Sequence, residues 1–159
     1  MNENYPMIPY LGYKDENLKT PITFPAQHQP AQPGLEFEMT PTPISENPNY
    51  IPSGKLQNKV LVISGGDSGI GRAISILFAK EGADIVISYL NEHEDANYTK
   101  QIVESYGRKC ILIPGDLRDE NLSKYIADTT MNCFGKIDIL INNCGVQFPQ
   151  NSILDISSQ

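Results

Sequence analysis

Val60-Leu61-Val62-Ile63-Ser64-Gly65-Gly66-Asp67-Ser68-Gly69-Ile70-Gly71 is the stretch that decides the fold. Its first four residues form a continuous apolar run, as expected of a strand buried on both faces. Strands of that kind belong to parallel sheets, whose crossover connections cover both surfaces. The glycine cluster follows without a break. Ile70, Ala73, Ile74, Leu77 and Phe78 then recur at i, i+3, i+4, i+7 and i+8, which predicts one apolar face of a helix.

The same alternation continues downstream. Gly82 closes the helix, and Asp84-Ile85-Val86-Ile87-Ser88-Tyr89 reads as a second strand. Residues 94–106 are helix-compatible, with Ile102 and Val103 inward and Gly107 as the stop. Residues 110–113 form a third strand. Asp119 is placed to cap a third helix that buries Leu122, Ile126 and Cys133 and ends at Gly135. Residues 137–141 make the fourth strand. This order predicts an α/β chain: a Rossmann-like doubly wound parallel sheet, partial, with strand order 3-2-1-4. In that order the first two helices share one face and the third covers the other. The fourth strand is an edge, where Ile137, Ile139, Leu140 and Ile141 lack partners, and an open apolar edge favours association.

Upstream of the strand the texture differs. The length of 159 residues allows one domain. Ten of the twelve prolines fall in residues 1–53, with six acids and two bases. That composition predicts an irregular, extended N-terminal arm over 1–53, ahead of a nucleotide-binding domain over 54–159. Alone, such a segment buries too little surface to offset its ordering. Tyr5, Tyr10, Tyr13, Phe24 and Phe37 are available to dock it on a folded surface, so a flexible and a docked arm both stay open.

The net charge of -7 gives no basic patch for phosphate neutralisation, so no nucleic acid partner is expected. No apolar stretch reaches the roughly 20 residues that span a bilayer, and Met1–Tyr10 lacks the pattern of a secretory signal. No membrane association is expected. Three widely spaced cysteines and two histidines do not make a zinc site, and free thiols fit a reducing cytoplasm. Cys110 and Cys133 read as small core residues. Asp138 reads as a solvated strand-entry acid, and His93 as an exposed residue opening the second helix. Glu92, Glu94 and Asp95 lie where acids complement a helix dipole.

Glycines between a buried strand and a helix answer a demand for close approach. A diphosphate can sit against backbone N–H groups at a helix N-terminus, where the macrodipole favours negative charge. A side chain at Gly65, Gly69 or Gly71 would obstruct the turn, the phosphate or the helix–strand packing. Ser64, Asp67 and Ser68 are placed to brace the turn or bond ribose and phosphate. The alternative is a glycine-rich turn with no ligand. The end of the second strand, Ser88-Tyr89-Leu90-Asn91, carries neither an acid for a ribose hydroxyl nor a cation for a phosphate, so a dinucleotide with or without a phosphate on that ribose remains open.

The spacing Gly-x-x-x-Gly-x-Gly resembles the short-chain dehydrogenase/reductase family, whose pattern is Thr-Gly-x-x-x-Gly-x-Gly; Ser64 stands in place of Thr. Asp116-Leu117 follows the third strand, where the family's Asp bonds the adenine amino group. Asn142-Asn143-Cys144-Gly145 resembles the family's Asn-Asn-Ala-Gly, with Cys144 for Ala. The proline-rich arm and Gly-Gly-Asp-Ser-Gly-Ile-Gly resemble a bacterial subgroup described as glucose/ribitol dehydrogenase-like. So do Tyr89-Leu90-Asn91-Glu92 and Ile113-Pro114-Gly115-Asp116. The resemblance implies an NAD(P)-dependent oxidoreductase acting on a small alcohol or carbonyl, a homotetramer when full length. Its implied cofactor-binding residues are Gly65, Asp67, Ser68, Gly69, Ile70, Gly71, Tyr89, Asp116, Leu117, Asn142, Cys144 and Gly145.

Catalysis in the family uses a Tyr-x-x-x-Lys on a later helix, with a Ser before it and an Asn on the fourth helix. Tyr10-Leu11-Gly12-Tyr13-Lys14 has the spacing but precedes the glycine turn, and it reads as coincidence. Residues 153–157 resemble the approach to the fourth helix. The expectation is therefore a cofactor-binding half without catalytic residues, inactive by itself. The alternatives are a non-catalytic nucleotide-binding module and a truncated remnant.

Overall fold

A computed structural model of the chain describes residues 25–146 and 152–156. The apolar runs become four strands: β1 (Val60–Ser64), β2 (Asp84–Tyr89), β3 (Cys110–Pro114) and β4 (Ile139–Asn142). All pair in parallel, in the order β3-β2-β1-β4. Between them lie α1 (Gly69–Lys80), α2 (His93–Ser105) and α3 (Glu120–Phe134). Each helix closes on a glycine at positive φ: Gly82, Gly107 and Gly135. Asp119 caps α3 by accepting from the Asn121 N–H at 3.0 Å.

Register fixes the two faces. Leu61 lies opposite Ile85 and Ile139, and Ile63 opposite Ile87 and Ile141. Leu61, Ile63, Ile85 and Ile87 are fully buried on the face that packs on α1 and α2, with Ala79, Ala96 and Val103. Each such side chain contributes about 1.5–3 kcal/mol by leaving water. The other face, with Val62, Val86 and Ile113, packs on Ile126 and Leu122 of α3. Two helices on one face and one on the other is the arrangement the alternation predicts. β4 is an edge of this sheet, and Leu140 on it is 63% exposed. Among the described residues no helix is long and apolar enough to cross a membrane.

Two local expectations are corrected and a third is extended. The buried positions of α1 are Gly71, Arg72, Ser75, Ile76 and Ala79, while Ile70 and Leu77 are exposed. The apolar pattern misplaces this face because Arg72 and Ser75 are buried through hydrogen bonds, which hydrophobic periodicity does not register. Cys110 is buried as expected, but Cys133 is exposed. The inward stripe of α3 runs through Leu122, Ile126, Thr130 and Phe134 at four-residue spacing, and Cys133 lies beside it. Asp138 is exposed at the entry to β4, as expected, and is also a tie. It accepts from the Val60 N–H at 2.9 Å and pairs with Lys59 and Lys136, each at 3.1 Å. The Val60 amide, ahead of the two lysines, lowers its pKa.

The described part of the arm lies against the α1–α2 face. Glu36, in a 3-10 turn over Glu36–Glu38, is 3% exposed. Farther along, the Glu81 carboxylate accepts from the Lys55 N–H at 2.8 Å, the Ser53 N–H and the Tyr50 hydroxyl. Lys80 pairs with Glu46 at 2.6 Å. Docking is thus carried by charged groups, and Phe37, a candidate aromatic anchor, is 50% exposed. Tyr5, Tyr10, Tyr13, Phe24 and the Tyr10–Lys14 motif lie outside the described residues.

Candidate cofactor site

The carboxyl ends of the strands gather the predicted residues. β1 has β2 on one side and β4 on the other, so the chain departs to opposite faces on either side of it. In open α/β sheets that reversal creates the crevice where ligands bind. β1 ends at Ser64 and the glycine turn begins. Gly65, at φ +62°, donates its N–H to the Ser88 carbonyl at 2.7 Å. A Cβ on Gly71 would fall 1.8 Å from the Gly65 carbonyl oxygen, and one on Gly65 would lie 3.1 Å from the Cys144 Cα. Packing of turn, helix and β4 therefore forces glycine at 65 and 71. Gly69 differs. Its φ is +51°, and among the described residues a Cβ there would meet only Glu36 Oε2, at 4.0 Å, so none of them covers its outer side.

Beside it lie donors with no acceptor among the described residues. The first turn of a helix leaves its amides without intrahelical partners. The Arg72 N–H makes the first helical bond, to the Ser68 carbonyl at 2.9 Å. Ser68 supplies no side-chain cap. The Gly69 N–H donates to the Glu36 carboxylate, leaving the Ile70 and Gly71 amides at the dipole's positive end. Peptide N–H groups with no Cβ in front of them fit a pyrophosphate.

A buried polar cluster supports the turn from below. Arg72 Nε donates to the Asp67 carbonyl at 3.1 Å and lies 2.8 Å from Thr99 Oγ1, which itself donates to the Asp67 carbonyl at 2.6 Å. The Arg72 guanidinium also pairs with Asp95 at 2.8 Å and with Glu36. Asp67 is 5% exposed; burial pushes its carboxyl above the ordinary range, and the charges of Glu92 and Asp95 push the same way. Glu92 and Asp95 are thus buried beneath the turn, beyond their expected role at the dipole. Glu92 Oε1 and Ser88 Oγ are buried with no hydrogen-bond partner among the described residues. Tyr89 is buried in the core, and its hydroxyl lies 3.0 Å from His93 Nδ1, on an exposed His93.

The end of β4 is sewn to the turn. Ser64 Oγ accepts from the Asn143 N–H at 3.0 Å and the Cys144 N–H at 3.2 Å. Asn143 Nδ2 donates to the Ser64 and Gly65 carbonyls at 3.2 and 2.8 Å. Asn143 is not among the residues the resemblance implies for the site, although it lies inside the Asn142–Gly145 motif. Asn142 and Leu117 line a cavity of about 230 Å³ with Val62, Ser64 and Ser88. Cys144 and Gly145 are exposed beside the turn. Asp116, one residue past the Gly115 N–H that donates to the Tyr89 carbonyl, holds Arg118 at 2.5 Å. The Arg118 hydrogen bonds bring its carboxyl down to about 2. Glu36, Arg72 and Thr99 also lie outside the motifs that the sequence marks. Their signal is a single charge or hydroxyl in each of three distant segments.

Residues 59–158 match the family model described as short chain dehydrogenase. An uncharacterized oxidoreductase of Bacillus subtilis (strain 168), YhdF, is 55% identical over 84% of this chain and 46% of its own length. General stress protein 39 of the same organism is 51% identical over 87% of this chain and 49% of its own. The glucose and ribitol dehydrogenase of Daucus carota is 39% identical over 86% and 49%. The chain spans about half the length of these curated relatives. Among solved structures, a short chain dehydrogenase from Burkholderia cenocepacia J2315 in complex with NADP aligns with a TM-score of 0.58. It is 36% identical over 65% of this chain and 42% of that one. Carveol dehydrogenase from Mycobacterium avium in complex with NAD aligns with a TM-score of 0.61, at 28% identity over 67% and 42%.

Proposed function

Because the chain belongs to the short-chain dehydrogenase/reductase family, we propose that it forms the dinucleotide-binding part of an NAD(P)-dependent oxidoreductase. The reaction is hydride exchange between a small alcohol and a carbonyl. The observation that carries this reading is the pair of amides at Ile70 and Gly71, left without intrahelical partners at the start of α1 and at the reversal point of the sheet. The bound nicotinamide supplies the hydride carrier. The chain's own residues bind and orient it. The Ile70 and Gly71 amides take the pyrophosphate where Gly65 and Gly69 leave room for it, and Asp67, Ser68 and Tyr89 shape the turn and strand end beside the adenosine ribose, with Asp67 and the Tyr89 ring buried behind that surface. Asp116 and Leu117 face the adenine, and Asn142, Cys144 and Gly145 line the path toward the nicotinamide. NAD and NADP both remain candidates, since solved neighbours hold one or the other.

No Tyr-x-x-x-Lys occurs within residues 54–159, so the proposal assigns this stretch to binding and orientation alone. For the whole protein we propose a cytoplasmic homotetramer. A non-catalytic nucleotide-binding module is the second reading, since the same amides at the start of α1 would serve it equally. Titration calorimetry with each dinucleotide tests the first reading. Micromolar to low millimolar binding of NAD or NADP supports it; no heat with either, on a folded protein, overturns it. Oxidation of the reduced nicotinamide by simple aldehydes, assayed on the full-length protein, separates enzyme from module.

A further inference from the structure

Among the described residues, the arm reaches the glycine turn through Glu36. Glu36 precedes Gly69 by 33 residues, yet its Oε2 accepts from the Gly69 N–H and its Oε1 from Arg72. Its own N–H donates to Asp95 Oδ2 at 2.9 Å. Glu36, Arg72 and Asp95 are all 3% exposed or less. The helix that starts the turn has no side-chain cap of its own, because Ser68 makes none. The missing acceptor comes from the arm instead.

We propose that Glu36 is a positioning residue of the dinucleotide site: the arm caps α1 from outside the domain and holds the glycine turn in its binding geometry. This rests on the proposed binding of a dinucleotide at that turn. Gly69 is in the left-handed region, and among the described residues a Cβ on it would meet only Glu36. A glycine so placed has a wide choice of conformations unless its N–H is held. Arg72 completes the brace, since the guanidinium that binds Glu36 also holds the Asp67 carbonyl in the middle of the turn. A docked arm therefore fixes both ends of the Asp67–Gly69 segment, and the Ile70 and Gly71 amides follow it. Pre-ordering the donors removes part of the entropy that binding would otherwise cost. By reciprocity, a dinucleotide that needs the ordered turn strengthens arm docking by the same factor.

The test uses the full-length protein. In the wild type, saturation with whichever of NAD and NADP binds should slow protease cleavage within residues 25–53 at least fivefold. Glu36→Ala should weaken dinucleotide binding at least tenfold, and Glu36→Gln, which keeps an acceptor for Gly69, should recover part of that loss. Glu38→Gln, at an exposed neighbour, should change nothing. A purely structural arm would not become protected on adding the ligand. Cleavage indifferent to bound dinucleotide overturns the inference, as does unchanged affinity in a folded Glu36→Ala. If Glu36→Ala does not fold, the protection measurement on the wild type decides. Binding of neither dinucleotide overturns the proposed function and this inference together; binding without coupling overturns only this one.

Discussion

Gly71 lies so close to Gly65 that a Cβ on it would come within 1.8 Å of the Gly65 carbonyl oxygen. The first turn of α1 and the end of β1 are in direct backbone contact, and this contact sets where the amides of the turn point.

Gly71→Ala should therefore be among the most damaging single substitutions. Backbone must move, at a cost of about 3 kcal/mol or more. Gly107→Ala is the control: its φ is +71° but the space around it is open, so only the left-handed backbone strain of about 1–2 kcal/mol remains. Urea unfolding of the two variants measures the difference.

Asn143 matters more than its neighbour. Asn143→Ala removes the donor to the Ser64 and Gly65 carbonyls and should destabilise by about 1–3 kcal/mol. Asn142→Ala, at an exposed position, should cost under about 0.5 kcal/mol. Equal midpoints in a denaturation series would contradict this ordering.

Arg72→Met leaves Glu36 and Asp95 as buried carboxylates without their cation. A loss of about 3–5 kcal/mol is expected, and Arg72→Lys should rescue little, because a single ammonium cannot serve Asp67, Glu36 and Asp95 together. Full rescue by lysine, read from thermal unfolding, would contradict the account.

Acid should release the distal part of the arm. Glu81 titrates at about 2 instead of 4.5, held down first by the Tyr50 hydroxyl and then by the Lys55 N–H. A folded pKa below the unfolded one gives stability that is complete above 4.5 and lost as pH falls from there toward 2. Protease accessibility near residues 50–55 should rise across that window. Glu81→Gln should make the arm accessible at neutral pH and flatten the dependence.

Much of the fold is legible in the sequence because buried parallel strands are written as unbroken apolar runs, such as 60–63 and 85–87. The handedness of crossovers leaves few orders, and the doubly wound arrangement among them is 3-2-1-4. Asp119 and the closing glycines are local signals, so the helix boundaries are legible as well. The docked arm is not. Glu36 finds Gly69, Arg72 and Asp95 through charge and hydrogen bonds across 33 to 59 residues, and no periodicity marks such a pairing. For the same reason the apolar pattern of α1 points to Ile70 and Leu77 and overlooks Arg72 and Ser75. Cys133 fails differently: a small residue one step off the Leu122–Ile126–Thr130 stripe carries no pattern that tells inside from outside. In the site, the glycines are legible from spacing, but the brace beneath them is visible only once α1, α2 and the arm are packed together.

The central claim is that a pyrophosphate binds the amides at the start of α1. Nitrogen-15 amide spectra recorded during titration with NAD and with NADP test it most directly. The account predicts that the Ile70 and Gly71 resonances move most and saturate with the calorimetric affinity, while amides at the opposite end of the sheet, such as Gly107, stay in place. Saturable binding that leaves Ile70 and Gly71 unmoved would contradict it.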